Sequence, residues 1–241
     1  INNHEKTTMT DQYYQLPEGY VLALTATNAF PPLDQALKEP NGLIAIDGDF
    51  TSKRLLEAYA HGIFPWFSED EPIMWWSPNP RMVLFPAELK VSNSLNKTLK
   101  KNTFELTINT AFREVITACS EVKRPEQAGT WINQGMIDAY CELHDLGHAV
   151  SSESWFEGKL VGGCYGVIIG KMFYGESMFH THTDASKVAF VNLVNNLTSK
   201  EVGMIDCQMK TPLLTQFGGR EIPREDFSQM LSKLIHLSTW D

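Results

Sequence analysis

No stretch of eighteen apolar residues occurs anywhere in the chain, so no membrane-spanning helix is expected. Residues 1–6 carry neither the basic nor the apolar region of a secretory leader, and residues 1–12 are polar enough to be expected frayed. Cysteine is scarce: Cys119, Cys141, Cys164 and Cys207 are scattered and never at CxxC spacing. That argues against a zinc ribbon or a thioredoxin-like motif and suggests reduced thiols in a cytoplasmic protein. Basic residues are outnumbered, 20 Lys and Arg against 29 Asp and Glu, for a net charge of −9. An anionic partner would have to be met by a local basic patch rather than by the overall field. His180 and His182 stand near Asp184 without a further Cys or His, so no metal site is expected. Neither Cys164 nor Cys207 has an evident His partner in sequence, which leaves a thiol nucleophile without its base. Repeats and low-complexity linkers are absent.

What is present is a globular composition, 43% hydrophobic and 20% charged over 241 residues. That is enough chain for one large domain or two modest ones. The most informative stretch is GIFPWF (62–67) followed by WWSPNPR (75–81). It is too apolar for an ordinary surface loop and too broken by proline for a helix or a central strand. Backbone this stiff holds its aromatics in place, either as a domain seam or as the wall of an apolar pocket.

Residues 43–46 read as a short strand, and Thr51 or Ser52 can cap a helix carrying Leu55, Leu56 and Tyr59, stopped by Gly62. Residues 82–85 read as another strand, and the change of texture near 82 marks the expected domain boundary. Beyond it, Ser92 caps a helix with Leu95 and Leu99. Residues 104–108 alternate as a strand, Thr110 can cap a helix with Phe112, Val115, Ile116 and Cys119 inward, and Asn133 or Gln134 begins a helix closed by Gly147. Residues 150–156, 159–169 and 172–179 form three strands joined as consecutive hairpins. Asp184 or Ser186 starts a helix through Leu197, residues 204–208 form a strand, and a last helix begins near Pro223. This order is an α+β pattern. Gly162, Gly163 and Gly166 read as close-packing positions rather than a phosphate cradle.

Asp206 and Gln208 are two apart on a strand, which points both to one face and leaves Ile205 and Cys207 to the core. Such a carboxylate and amide are either a solvated strand end or, if buried, a pair that needs an amine-bearing partner. Glu176 is one acid among apolar neighbours, aligned by alternation with Tyr174 and Met178; a lone acid of this kind is more often a salt-bridged structural residue. Lys90, Lys97, Lys100 and Lys101 form the best basic cluster, whose plain reading is a solvated helix face.

Six segments occur in a fixed order: GIFPWF, WWSPNPR, GTWI (129–132), LVGGCYGV (160–167), GESMF (175–179) and IDCQ (205–208). Together they resemble the leucyl/phenylalanyl-tRNA–protein transferase family over residues 30–224. The resemblance implies a small N-terminal α/β domain (1–82) packed on a larger GNAT-like, acetyltransferase-type catalytic domain (83–241). It implies transfer of Leu or Phe from aminoacyl-tRNA to acceptor proteins bearing an N-terminal Arg or Lys, as a degradation signal, by a monomer without metal or cofactor. It makes Asp206, Gln208 and Glu176 the catalytic set, with Gln208 orienting the incoming amine and Asp206 orienting Gln208. Trp66, Trp131, Phe173 and Met178 become the walls of the aminoacyl pocket. Cys164 joins them where the family usually has Met, which widens the pocket, and the four lysines become candidates for tRNA contact. Two other classes stay open: an adaptor that binds basic N-termini without catalysis, and an acyl-CoA-dependent N-acyltransferase. The Q/R-x-x-G-x-G/A phosphate loop that the latter needs is missing.

Overall fold

The computed structural model describes residues 8–10, 12–68, 70–122 and 132–238. The chain begins with β1 (Thr8–Thr10), β2 (Tyr13–Leu16), β3 (Gly19–Leu24), β4 (Leu43–Asp47), α1 (Ser52–Ala60), β5 (Phe64–Pro65) and β6 (Met74–Trp76). These strands form one six-stranded sheet in the order β1-β2-β3-β4-β6-β5, with β3 and β4 parallel. The β1–β3 antiparallel ribbon is absent from the sequence reading, and Thr8–Thr10 is paired where fraying was expected. The proline-broken aromatic segment also departs from expectation. Met74–Trp76 is an interior strand, bonded to β4 on one side and β5 on the other. It escapes the proline penalty because Pro65 lies on the edge strand and Pro78 and Pro80 fall after β6 ends.

The remainder supplies β7 (Arg81–Leu84), α2 (Asn93–Lys100), β8 (Glu105–Ile108), α3 (Phe112–Ser120), α4 (Gln134–Asp145), β9 (Ala149–Phe156), β10 (Lys159–Ile169) and β11 (Met172–His180). It closes with α5 (Ala185–Ser199), β12 (Met204–Gln208), α6 (Pro212–Gln216), β13 (Arg220–Ile222) and α7 (Arg224–Leu234). A second, seven-stranded sheet runs β13-β7-β12-β11-β10-β9-β8. Its two central hairpins fall where the Glu157-Gly158 and Gly170-Lys171 turns put them. The architecture is α+β with two sheets. α6 and β13 are too short to leave a periodic pattern.

Thr51, Ser92 and Asn133 cap α1, α2 and α4 by accepting the N–H three residues on, each worth roughly 1 kcal/mol. Two expected caps are absent. α3 begins one residue later than Thr110 would cap it: the cap position is Ala111, which has no side-chain acceptor, and the Thr110 hydroxyl donates to the buried Glu153 carboxylate. Asp184 sits at the start of α5 with φ 65°, and its carboxylate accepts from Thr98 and Lys187 instead of the helix N–H groups.

The two faces of the second sheet have different covers. α3, α4 and the first sheet lie over one, burying Phe112, Tyr140, Tyr165 and Tyr174 with Tyr59 and Trp75. α5 lies over the other, burying Cys164, Phe173 and Ile205 under Phe190, Leu193 and Val194. β11 and β12 form the sheet's parallel pair, and their pairing stops at Tyr174 and Asp206. Beyond that point β11 continues to His180 while β12 ends at Gln208, so the sheet splays open.

The glycines of β10 are close-packing positions, as expected. A Cβ on Gly162 would stand 2.6 Å from Ala185, and one on Gly166 would stand 2.1 Å from the Tyr174 carbonyl oxygen. Backbone cannot yield as a side-chain tip can, so Gly166→Ala must force β10 from β11. Overpacking of this kind costs about 1–3 kcal/mol or more. We expect its urea midpoint to fall well below wild type, and an unchanged midpoint would mean the strands are not held this closely.

Candidate active site

A cavity of about 430 Å³ opens in the splay between β11 and β12. β11 lines it with Phe173, Glu176 and Met178, β12 with Ile205, Cys207 and Gln208, and β10 with Cys164. Phe190 and Leu193 of α5 close its floor, Leu213 and Leu214 of α6 one side, and Phe64, Pro65 and Trp66 another. The aromatic segment therefore does both things the sequence left open. Phe64–Trp66 walls a pocket, while Trp75 is fully buried in the core beside Phe30 and Phe50. Four residues named from sequence as pocket walls, Trp66, Cys164, Phe173 and Met178, converge on this cavity together with Glu176 and Gln208. Trp131 lies outside the described residues.

Both polar side chains stand at β-bulges. Register between β10 and β11 slips so that Tyr165 pairs Ser177 and Gly166 pairs Gly175, leaving Glu176 as the extra residue. Register between β7 and β12 slips likewise, with Val83 opposite Asp206 and Met82 opposite Gln208, leaving Cys207 extra. A bulge breaks alternation and re-aims side chains. The expectation that Asp206 and Gln208 share a face is therefore overturned. Gln208, at φ 57°, faces the cavity with Ile205 and Cys207, which had been assigned to the core face.

Asp206 is fully buried and does not line the cavity. Its carboxylate accepts two hydrogen bonds from Arg81, Nε at 2.8 Å and Nη2 at 2.6 Å, and Arg81 is itself fully buried. The guanidinium lies over the rings of Phe64 and Phe227, 4.8 and 4.6 Å from their centroids. Asp206 does restrain Gln208, but through its backbone N–H, which donates to Oδ1 at 2.9 Å, rather than through the side-chain amide. Arg81 is the residue that the sequence reading missed. The signal was the last letter of WWSPNPR, a cation in an apolar run with no neighbouring acid.

Glu176 is half-buried at the inner end of the cavity. Tyr59 of α1 donates to its Oε1 at 2.6 Å and Tyr140 of α4 to its Oε2 at 3.2 Å. Burial raises its carboxyl to about 7, an effect the two phenols and Arg81 partly offset and the Asp206 charge reinforces. Glu176 keeps its expected alignment with Tyr174, since both meet Tyr59, while the bulge turns Met178 to the other face, with Cys164 and Phe173. Burial pushes the Cys164 and Cys207 thiols well up, so neither is a thiolate near neutral pH. His180 meets Ser186 and His182 meets the Phe156 ring. Among the described residues no group of three metal-ligating side chains is placed to hold an ion.

Chemically, this is an apolar slot ending in an amide and a carboxylate of near-neutral affinity for protons. It suits an apolar acyl group held beside an amine. The relatives of the chain agree with that class. Residues 83–232 match the leucyl/phenylalanyl-tRNA protein transferase family, and residues 48–79 match its N-terminal domain. A leucyl/phenylalanyl-tRNA–protein transferase of Nitrosomonas europaea is 56% identical, covering 89% of this chain and 90% of its own. Proteins of the same name from Nitrosospira multiformis and Chromobacterium violaceum are 54% and 56% identical over 88% and 86% of the chain, and 91% and 88% of their own lengths. The chain belongs to the leucyl/phenylalanyl-tRNA–protein transferase family. Among solved structures, a GCN5-related N-acetyltransferase-like protein from Streptococcus suis aligns at TM-score 0.36 and 11% identity, over 71% of this chain and 64% of that one; a likeness this distant adds nothing to the assignment.

The Glu176 carboxyl titrates near 7 when folded and near 4.5 when unfolded. The folded state thus holds this proton more tightly. Its stabilising share is complete below 4.5 and is lost as pH rises through 7. Glu176→Gln removes that loss, so the variant should gain in urea midpoint relative to wild type between pH 5 and pH 8. A constant difference across that range would contradict the raised carboxyl.

Proposed function

We propose that the protein moves Leu or Phe from the 3′ end of aminoacyl-tRNA to the N-terminal Arg or Lys of acceptor proteins. The observation that carries this is the joining in one cavity of an apolar wall with Gln208 and Glu176. The wall of Phe173, Met178, Cys164, Phe190 and Leu193 takes an unbranched-at-Cβ apolar side chain, and discrimination there is by shape. Gln208 is too weak a base to deprotonate an ammonium; its amide orients the attacking nitrogen toward the ester carbonyl. Glu176 supplies the negative potential that draws a basic N-terminus. Asp206 acts from behind the wall by fixing the bulge that presents Gln208. No step requires metal or CoA, and a single copy of the chain contains all of these groups.

The tRNA body needs cations that the chain as a whole lacks. Lys97 and Lys100 lie in the last turn of α2, Lys101 follows them, and Lys90 precedes the helix; all four are exposed. Among the described residues none of them forms a salt bridge. α2 packs on α5, which floors the cavity, so this patch lies on the outer side of the same helix layer. We assign it to backbone phosphates.

Labelled Leu supplied as leucyl-tRNA should appear on a peptide with N-terminal Arg and not on one with N-terminal Asp. Gln208→Ala should reduce kcat about 100-fold, in the range of lost positioning and proton-transfer effects, with charged-tRNA binding little changed. Equal loss of binding and turnover would remove Gln208 from the reacting centre. Replacing Lys97, Lys100 and Lys101 with Gln should weaken tRNA binding and flatten its log–log salt slope by roughly 2–3. An unaltered slope would place the phosphate contacts elsewhere.

A further inference from the structure

Tyr59 and Tyr140 are fully buried and do not line the cavity, so neither can touch a substrate. Yet both hydroxyls point at the one carboxylate that does. Tyr59 donates to Oε1 of Glu176 at 2.6 Å, the two phenols stand 2.6 Å apart, and Tyr140 reaches Oε2 at 3.2 Å. Each phenol has one proton, so Tyr140 shares its own between the Tyr59 oxygen and Glu176. Burial holds both phenols far above their ordinary range, so they remain donors at any working pH. They come from different parts of the fold, Tyr59 from the helix of the first sheet and Tyr140 from α4 over the second.

We propose that Tyr59 and Tyr140 are positioning residues that keep Glu176 as a carboxylate aimed into the cavity, where it takes the proton from the acceptor's α-ammonium before attack. This rests on the transfer reaction proposed above. An N–H bond of the ammonium breaks and an O–H bond forms on Glu176. The freed amine then forms its C–N bond as the ester C–O bond breaks. The second nitrogen proton goes to the departing ribose oxygen, and Glu176 returns its proton to solvent once product leaves. Other groups bear on Glu176 too. Asp206 of β12 opposes its ionisation and Arg81 of β7 favours it, both through space. Tyr174, two residues back on β11, and Tyr165 of β10, edge-on to Tyr140, are the remaining titratable neighbours. The tyrosine pair hydrogen-bonds directly to both oxygens of this carboxylate, and a carboxylate loses its proton more readily when its charged form is hydrogen-bonded.

The test is the pH profile of kcat/KM between pH 6 and 9 for wild type, Tyr59→Phe, Tyr140→Phe and Glu176→Gln, with carbon NMR titration of the Glu176 carboxyl in the first three. The acceptor's own amine titrates near ~8 in every case, so only differences between variants count. Each Phe variant should move the acid limb up by about one pH unit. That lowers kcat/KM roughly tenfold at pH 6.5, with recovery to within about twofold at pH 9. Glu176→Gln should lose that limb altogether. A loss that is equal at every pH, with the limb unmoved, makes the tyrosines structural and overturns the inference. A shifted carboxyl titration with unshifted rates overturns it equally, because Glu176 then holds no reacting proton while transfer itself stands. Absence of transfer by wild type, with the carboxyl titration still moved by the Phe variants, overturns the proposed reaction and this step with it.

Discussion

The buried pair of Arg81 and Asp206 is the interaction on which the site depends. It joins the first residue of β7 to the strand that carries Gln208, and it does so with both side chains fully withdrawn from water. Two charges in such a place cost several kcal/mol each to desolvate, and only bidentate geometry recovers that. Removal of one partner would strand the other and cost about 3–5 kcal/mol. The sandwich of Phe64 and Phe227 around the guanidinium ties the same pair to the cavity wall and to α7. The Asp206 Oδ1 that accepts from Arg81 Nε accepts from the Gln208 N–H as well, so the pair also fixes the bulge. One salt bridge thus sets strand register, pocket wall and the direction of the amide.

Around that anchor the sheet is built to fail locally. Two bulges and a splay are irregularities that an unbroken ladder would not permit, and each supplies something the chemistry needs. The splay creates the volume, and the bulges bring Glu176 and Gln208 into it from strands whose alternation would have turned them elsewhere. Gly166 is small enough to let β10 close against β11 where Glu176 bulges. The protonation of Glu176 is then decided by burial, which raises its carboxyl, against the hydrogen bonds of Tyr59 and Tyr140, which lower it, and by the opposed charges of Asp206 and Arg81.

Much of this was legible in the sequence. Hairpins at Glu157-Gly158 and Gly170-Lys171, caps at Thr51, Ser92 and Asn133, and the inward faces of α1, α3 and α4 follow from local chemistry, and local chemistry is what a sequence displays. The ordered motifs named the family and, position by position, six of the residues that line the cavity: Trp66, Cys164, Phe173, Glu176, Met178 and Gln208. What was illegible depends on pairing. Alternation placed Asp206 beside Gln208 because a bulge has no local signature; it exists only when β7 supplies the other register. The same holds for Met74–Trp76, whose place inside a sheet is set by β4, and for Arg81, whose partner lies 125 residues away. Thr110 and Asp184 look like caps until distant partners engage their side chains, Glu153 accepting from Thr110 and Thr98 donating to Asp184.

The central claim is spatial: the apolar slot between β11 and β12 holds the aminoacyl side chain, with its carbonyl at Gln208. The most direct measurement is a crystal structure with adenosine carrying leucine through a non-hydrolysable 3′-amide. The account predicts the leucine side chain between Phe173, Met178 and Cys164, and the carbonyl carbon within reach of the Gln208 amide. Leucine density outside this slot, or an occupied slot with its carbonyl turned away from Gln208, would contradict it.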